Sequence, residues 1–175
     1  MRIGIDISQL AYENAGVSIY IKNLVNHLLA IDKTNEYILF FSSLRKKLPE
    51  HAIVPIHKNV VIKKFPFPPI LLDIIWNRFH ILPVEWLIGN IDVFISSDWT
   101  QPPTRAKKAT ILYDLIVYVY PDEMDKRIVS TQKRRLRWVR KEVETIFCIS
   151  QATKNDARGL LCVEKNRLKV LYPGL

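Results

Sequence analysis

Residues 2–7, Arg-Ile-Gly-Ile-Asp-Ile, alternate with period two and stop at a polar loop, as expected of a strand whose carboxyl end opens toward a site. The loop 8–15 feeds Gly16. Over residues 17–31 the apolar positions Val17, Tyr20, Ile21, Leu24, Leu28 and Ile31 recur every three or four residues, which puts them on one helix face. Further strands are predicted at 37–41, after the turn 33–36, and at 60–65, after a looser segment containing Pro49 and Pro55. The proline-rich stretch 65–69 breaks the pattern before a predicted helix at 70–79 and a helical turn near 84–88 that Gly89-Asn90 ends. Short buried strands are then predicted at 91–95 and 109–113. A long amphipathic helix at about 122–141 leads to a strand at 145–149, a helix at 150–161 and a strand at 168–171.

Short apolar strands separated by helices imply a mostly parallel sheet covered on both faces, a Rossmann-like, doubly wound α/β fold. Such sheets bind ligands outside the carboxyl ends of their strands. The polar residues expected there are 8–16, Ser96-Ser97-Asp98-Trp99, Tyr113-Asp114 and Ser150.

Composition fits this picture: 49% hydrophobic and 25% charged residues in 175 are enough to bury one domain's core. The first strand begins almost at Met1, so no secretory leader is expected. The greasiest stretch, 65–72, contains three prolines and closes at Asp73, well short of the roughly 20 apolar residues of a membrane span. Cys148 and Cys162 lie apart with no His beside them and read as reduced core residues of a cytoplasmic protein. Among only five glycines there is no Gly-x-Gly-x-x-Gly and no P-loop, and a Gly-x-Ser-x-Gly elbow is missing too. His27, His51, His57 and His80 show no metal-ligand spacing, and no cofactor or metal is expected.

The net charge of +9 is a local feature. Residues 126–141 carry eight cations and no acid, leaving the rest of the chain close to neutral. On a helical wheel seven of the eight share one arc, opposite Ile128, Val129, Leu136 and Val139. A solvated face of a sheet-packing helix has this pattern, and so does a surface for anionic lipid; Trp138 beside the arc favours a membrane interface. Nucleic acid is disfavoured because no recognition motif accompanies the charge. Gly16, at the entry to a helix, lets a phosphate approach free amides, although a plain turn glycine reads the same way. Trp76, Phe79, Trp86 and Leu87 form an apolar cluster that reads as core or, if exposed, as an acceptor groove or lipid contact.

Several segments together resemble one family over nearly the whole chain. They are Met1 to Asp6, Gly16 to Tyr20 with Asn23-Leu24, Trp76, Leu82-Pro83, Asp92-Val93-Phe94 with Ser97-Asp98, Pro102-Pro103, Tyr113-Asp114-Leu115 with Pro121, Ile149 to Asp156 and the closing Val170 to Leu175. In this order they resemble the amino-terminal domain of family 4 retaining glycosyltransferases. The resemblance implies one half of a GT-B fold. Residues 1–170 would form the acceptor-side domain, and 171–175 would start a linker to an absent carboxyl-terminal donor domain, which carries the family's paired glutamates. It implies transfer of a sugar, with retention, from a nucleotide sugar to a glycan or lipid-linked glycan, with this half inactive alone. Gly16, Val17, Tyr113 and Asp114 would contact the donor, and Asp98 and Trp99 the acceptor. Two departures stand out: relatives commonly have glycine and arginine where this chain has Ser18 and Ile19, and histidine where it has Tyr113. A tyrosine, with a reference pKa of about 10, is no cation near neutral pH. The alternative is a non-catalytic module that binds anionic membrane or nucleic acid through Arg134, Arg137 and Arg140. Either reading places the protein in the cytoplasm, with peripheral contact to the inner face of the membrane.

Overall fold

The computed structural model describes residues 1–53 and 58–174; Pro55, His57 and Leu175, named above, lie outside them. Seven strands are described, β1 (Arg2–Asp6), β2 (Glu36–Ser42), β3 (Val60–Phe65), β4 (Val93–Ser96), β5 (Lys107–Leu112), β6 (Thr145–Cys148) and β7 (Leu168–Val170). All pair in parallel, in the order β3-β2-β1-β4-β5-β6-β7. The order reverses at β1, so the first two crossovers run to one side of the sheet, where Leu48, Ala52 and Ile53 join the first helix, and the later helices lie on the other. This is the Rossmann-like doubly wound arrangement that the alternation of strands and helices predicts.

The period of two sorts the core. Ile5, Tyr37, Leu39, Phe41 and Ile111 face helix α1 (Gly16–Ile31). Ile38, Phe40 and Phe94 face the opposite layer, against Leu72, Trp76, Val84 and Ile88. On that same face Leu112, Ile146, Cys148 and Leu168 pack against Leu136 and Val139. The opposite layer contains α2 (Pro69–Leu72), which continues as a π-helical stretch (Asp73–Arg78), α3 (Glu85–Ile88), the turn α4 (Ile116–Val119) and α5 (Lys126–Glu142). Helix α6 (Gln151–Leu160) adds Ala157 to the cluster around Leu112. Gly4 is required by packing: a Cβ there would sit 2.8 Å from the Phe94 ring and 3.0 Å from Ile88.

The structure refines four expectations. Of the two cysteines expected in the core, Cys148 is buried in β6, whereas Cys162 is exposed just beyond α6. The buried row of α1 is Ser18, Ile21, Val25 and Leu29 together with Tyr20, about a residue away from the predicted stripe, and Ile31 is 79% exposed at the end of the helix. The basic helix starts at Lys126 rather than near 122, because the Asp125 carboxylate accepts the Arg127 amide at 2.7 Å and caps it; residues 121–123 form a separate 3-10 turn. The Trp76 cluster divides: Trp76 is core and Leu87 packs against it, whereas Phe79 and Trp86 are exposed. Among the described residues no helix is long and apolar enough to cross a membrane.

Candidate functional site

The carboxyl ends of β1, β4 and β5 open onto a cleft with three adjoining cavities, and Val17 lines all three. Val17 is in the first turn of α1, which the loop after β1 brings across the sheet edge. Ala15 leaves that helix without a side-chain cap. The amides of Ser18 and Ile19 bond back to the Ala15 carbonyl. Gly16 is exposed, and a Cβ at its position would meet nothing within 4 Å.

The first cavity, about 600 Å³, is lined by Gly16, Val17, Tyr113 and Asp114, the four residues expected on the donor side, together with Ile19, His27 and the terminal stretch 172–174. No lysine or arginine lines it. Tyr113 is largely core: its hydroxyl lies 3.2 Å from Ser97 Oγ, its ring meets Tyr20 edge-on at 5.4 Å, and its carbonyl accepts a bond from Thr153. Burial pushes its phenol well above the usual tyrosine range. Tyr20 in turn donates to the Leu171 carbonyl at 2.9 Å, tying α1 to the chain that leaves β7. Ser150 caps α6, its hydroxyl accepting the Thr153 amide at 3.0 Å, and is structural.

The second cavity, about 490 Å³, brings together Asp98 and Trp99, the residues expected on the acceptor side, with Asp6, Gln9 and Tyr12. The third, about 260 Å³, joins the other two through Asp98, Trp99, Tyr113 and Asp114, and Arg135 is among its lining residues. Arg135 is the one cation of α5 outside the basic arc, and it is only 2% exposed. It donates to Thr110 Oγ1 at 2.8 Å and to the Ile111 carbonyl at 3.0 Å. Ser96 Oγ stands 2.8 Å from the same Thr110 hydroxyl and 2.6 Å from Gln101. Gln132, one turn earlier on α5, donates to the Asp98 carbonyl at 2.9 Å.

Burial raises the pKa of both Asp6 and Asp98 above the ordinary 3.8, and the Arg135 charge opposes the rise in each case. Burial pulls the Arg135 pKa down while the nearby carboxylates, Asp98 foremost, push it up; the guanidinium remains charged. Sequence reasoning missed Arg135 and Asp6 as site residues, while Gln9 falls within the loop 8–16 expected at the ligand edge. The available signal was Arg135's position on the wheel, among apolar residues. Among the described residues no group of three His, Cys, Asp or Glu side chains could hold a metal.

Residues 14–175, nearly the whole chain, match the family described as Glycosyltransferase Family 4. The chain belongs to glycosyltransferase family 4. No curated protein matches it. It is similar to two solved structures. One is an alpha-glucosyltransferase in complex with UDP and a 13-mer DNA containing a central A:G mismatch, at 14% identity and a TM-score of 0.44, with all of this chain aligned to 41% of that one. The other is an alpha-glucosyltransferase in complex with UDP and a 13-mer DNA containing an HMU base, at 13% identity and a TM-score of 0.48, with all of this chain aligned to 43% of that one. The chain thus spans about two fifths of the length of these solved chains.

In this family 4 chain the departures noted above take definite places. Ser18 is 2% exposed and packs inward, whereas Ile19 lines the first cavity with an apolar side chain. The basic helix also differs from a bare cationic face. Arg134 is bound to Asp73 at 2.6 Å, while Arg137 and Arg140 are exposed. Trp138 is not free for a bilayer: its indole donates to the Asn77 carbonyl at 2.7 Å and its ring stacks on His80 at 3.6 Å, with Arg137 and Lys141 each 5.0 Å from the ring centre.

Proposed function

We propose that this family 4 chain is the acceptor-side domain of a retaining glycosyltransferase, moving a sugar from a nucleotide sugar to a glycan or lipid-linked glycan. Residues 1–170 form the domain, chain from Leu171 onward leads to a donor domain, and the acceptor-side half is inactive by itself. The observation that carries the reading is the sorting of residues in the cleft. Gly16, Val17, Tyr113 and Asp114 share one cavity, Asp98 and Trp99 share the next, and Val17 stands between.

An uncapped helix amino terminus favours a phosphate through its amides and dipole. With no lysine or arginine on the first cavity's wall, α1 offers the diphosphate amides alone from this side. The cations that stabilise the departing diphosphate then come from the donor domain. Rate comes chiefly from holding donor and acceptor in register and from electrostatic stabilisation of the leaving group, and the reading calls for no cofactor. The test is release of nucleoside diphosphate from a panel of nucleotide sugars, with and without glycan acceptors. The two domains together are expected to turn over at least one donor with the anomeric configuration kept, and residues 1–175 alone none. Inversion at the anomeric carbon, or no donor turned over by the joined domains, would remove the assignment.

A specific observation favours adding membrane contact. Ile70, Ile74, Phe79, Ile81 and Trp86 are exposed on the layer that Arg134 and Trp138 tie to α5, whose solvent side offers Arg137, Arg140 and Lys141. Apolar side chains beside cations suit an anionic lipid surface, each cation near it being worth about 1 kcal/mol. In this reading the protein docks on the inner face of the membrane from the cytoplasm. The chain is expected to co-sediment with phosphatidylglycerol vesicles, and Arg137→Glu with Arg140→Glu is expected to weaken this about tenfold or more. Equal binding to phosphatidylcholine vesicles, or no response to charge reversal, would discard the membrane contact.

A further inference from the structure

Tyr20 is a core residue of α1 whose hydroxyl serves a distant part of the chain. The residue is 8% exposed and its ring meets Tyr113 edge-on, while the hydroxyl donates to the Leu171 carbonyl at 2.9 Å, 151 positions further along. Phenylalanine would fill the same space against Tyr113 without leaving a buried donor to be satisfied. The core does not need the oxygen; the chain leaving β7 does. Burial holds the Tyr20 phenol above its ordinary value of 10, so the hydroxyl keeps the proton it donates at neutral pH.

The place of that bond gives it leverage. Strand β7 is three residues long and pairs with β6 alone, and the Leu171 amide extends the pairing by one bond, to the Cys148 carbonyl at 2.8 Å. Beyond it, among the described residues, no hydrogen bond holds 172–174, and all three are exposed. The Leu171 carbonyl shares one planar peptide unit with the Tyr172 amide. Holding the amide of Leu171 through Cys148 and its carbonyl through Tyr20 therefore fixes the direction in which Tyr172 departs. Pro173 carries that direction on, because its ring sets its own φ near about −65° and biases Tyr172 toward extended backbone. Residues 172–174 in turn line the first cavity with Gly16, Val17, Tyr113, Asp114 and Tyr20 itself.

We propose that Tyr20 is a positioning residue: by holding the Leu171 carbonyl, its hydroxyl sets the path of residues 171–174 and so the shape of the donor-side cavity they line. Without the hydroxyl the segment samples several paths, and a ligand that fits one of them binds more weakly by the fraction of time that path is lost. The effect on a donor rests on the glycosyltransferase reading, whereas the path of the chain can be measured without turnover.

The experiment compares Tyr20→Phe with the parent in two settings. On the whole 175-residue chain, NMR hydrogen exchange is expected to show the Leu171 amide exchanging about fivefold faster, with Tyr172 more mobile on the nanosecond scale and the amides of α1 unchanged. Tyr37→Phe, which removes a buried tyrosine's bond to Asp32 at 2.6 Å, is the control and is expected to leave Leu171 as it was. With the donor domain joined, Tyr20→Phe is expected to raise KM for the nucleotide sugar about fivefold and to change kcat less than twofold. Unchanged exchange at Leu171, or faster exchange spread evenly over the sheet, would overturn the proposal, because the hydroxyl would then hold nothing local. Faster exchange at Leu171 with KM unaltered would overturn its link to the donor cavity. If the joined parent turns over no donor at all, the enzymatic reading fails, and the exchange result alone decides whether Tyr20 sets the path of the chain.

Discussion

Arg135→Leu is expected to destabilise the chain by about 3–5 kcal/mol near neutral pH, the usual cost of removing one partner from a buried charge cluster. The leucine keeps most of the apolar stem. It loses the donors to Thr110 and Ile111 and leaves Asp6 and Asp98 without the cation that opposes their desolvation. The sign of the pH dependence follows from the direction of those shifts. Both carboxyls have folded pKa values above the ordinary 3.8, so the folded state binds protons more readily than the unfolded one. Stability from this pair is therefore greatest in acid and falls as pH rises from the unfolded value through the folded ones. Without Arg135 both folded values move up further, so the fall deepens and extends to higher pH. Urea denaturation followed by circular dichroism should show variant and parent closest at about pH 4 and furthest apart at about pH 7. A deficit of the same size at both would mean that Arg135 serves packing alone.

Gly16→Val is the complementary case, a large expected loss of activity with almost no change in stability. A Cβ at Gly16 meets open space, and the position opens onto the first cavity rather than the core. Valine is also no worse than glycine within a helix. The added methyl groups stand where a donor phosphate would approach the α1 amides, and a displacement of about 1 Å at a reacting group can cost about 10²-fold in rate. With the donor domain present, nucleotide-sugar turnover should fall on the order of 10²-fold while the melting temperature stays put. Unaltered turnover would detach the start of α1 from the donor. A fall in both turnover and melting temperature would point to a packing role that the open space around Gly16 does not predict.

These two residues differ in how visible they are before folding. Gly16 announces itself locally, as a glycine between a polar loop and an amphipathic run, and the cleft lies where strand ends put it. Asp98-Trp99 and Tyr113-Asp114 follow strands β4 and β5 directly, so a correct reading of strand ends places them on the carboxyl edge. Arg135 sits within a run of cations. On the wheel it stands apart from the other seven, but nothing local says which strand it will meet. Gln9 lies in a polar loop where any side chain could face solvent.

The membrane surface shows the same divide. Eight cations on one helix are legible as charge, yet Arg134 is taken up by Asp73, 61 residues away, and Trp138 by Asn77 and His80. Trp76 and Trp86 both read as parts of one apolar cluster, but one is 1% and the other 73% exposed. The π-helical turn over Asp73–Arg78 and the left-handed backbone at His80 and Leu82 decide which way each side chain in this region faces.

Sequence by itself determined the order of strands and helices, the parallel sheet and the set of loops that gather at its carboxyl edge. Period two, period 3.6 and the capping residues are set by neighbours a few positions apart. Only the tertiary structure decided that α5 crosses the sheet at a register that drives Arg135 against Thr110, beside the buried Asp6 and the partly buried Asp98. It also decided that Gln9 turns inward beside Asp6, and that Val17 lines all three adjoining cavities of the cleft. Those outcomes depend on contacts between residues dozens to more than a hundred positions apart, whose partners are chosen by packing of whole layers and not by any local pattern.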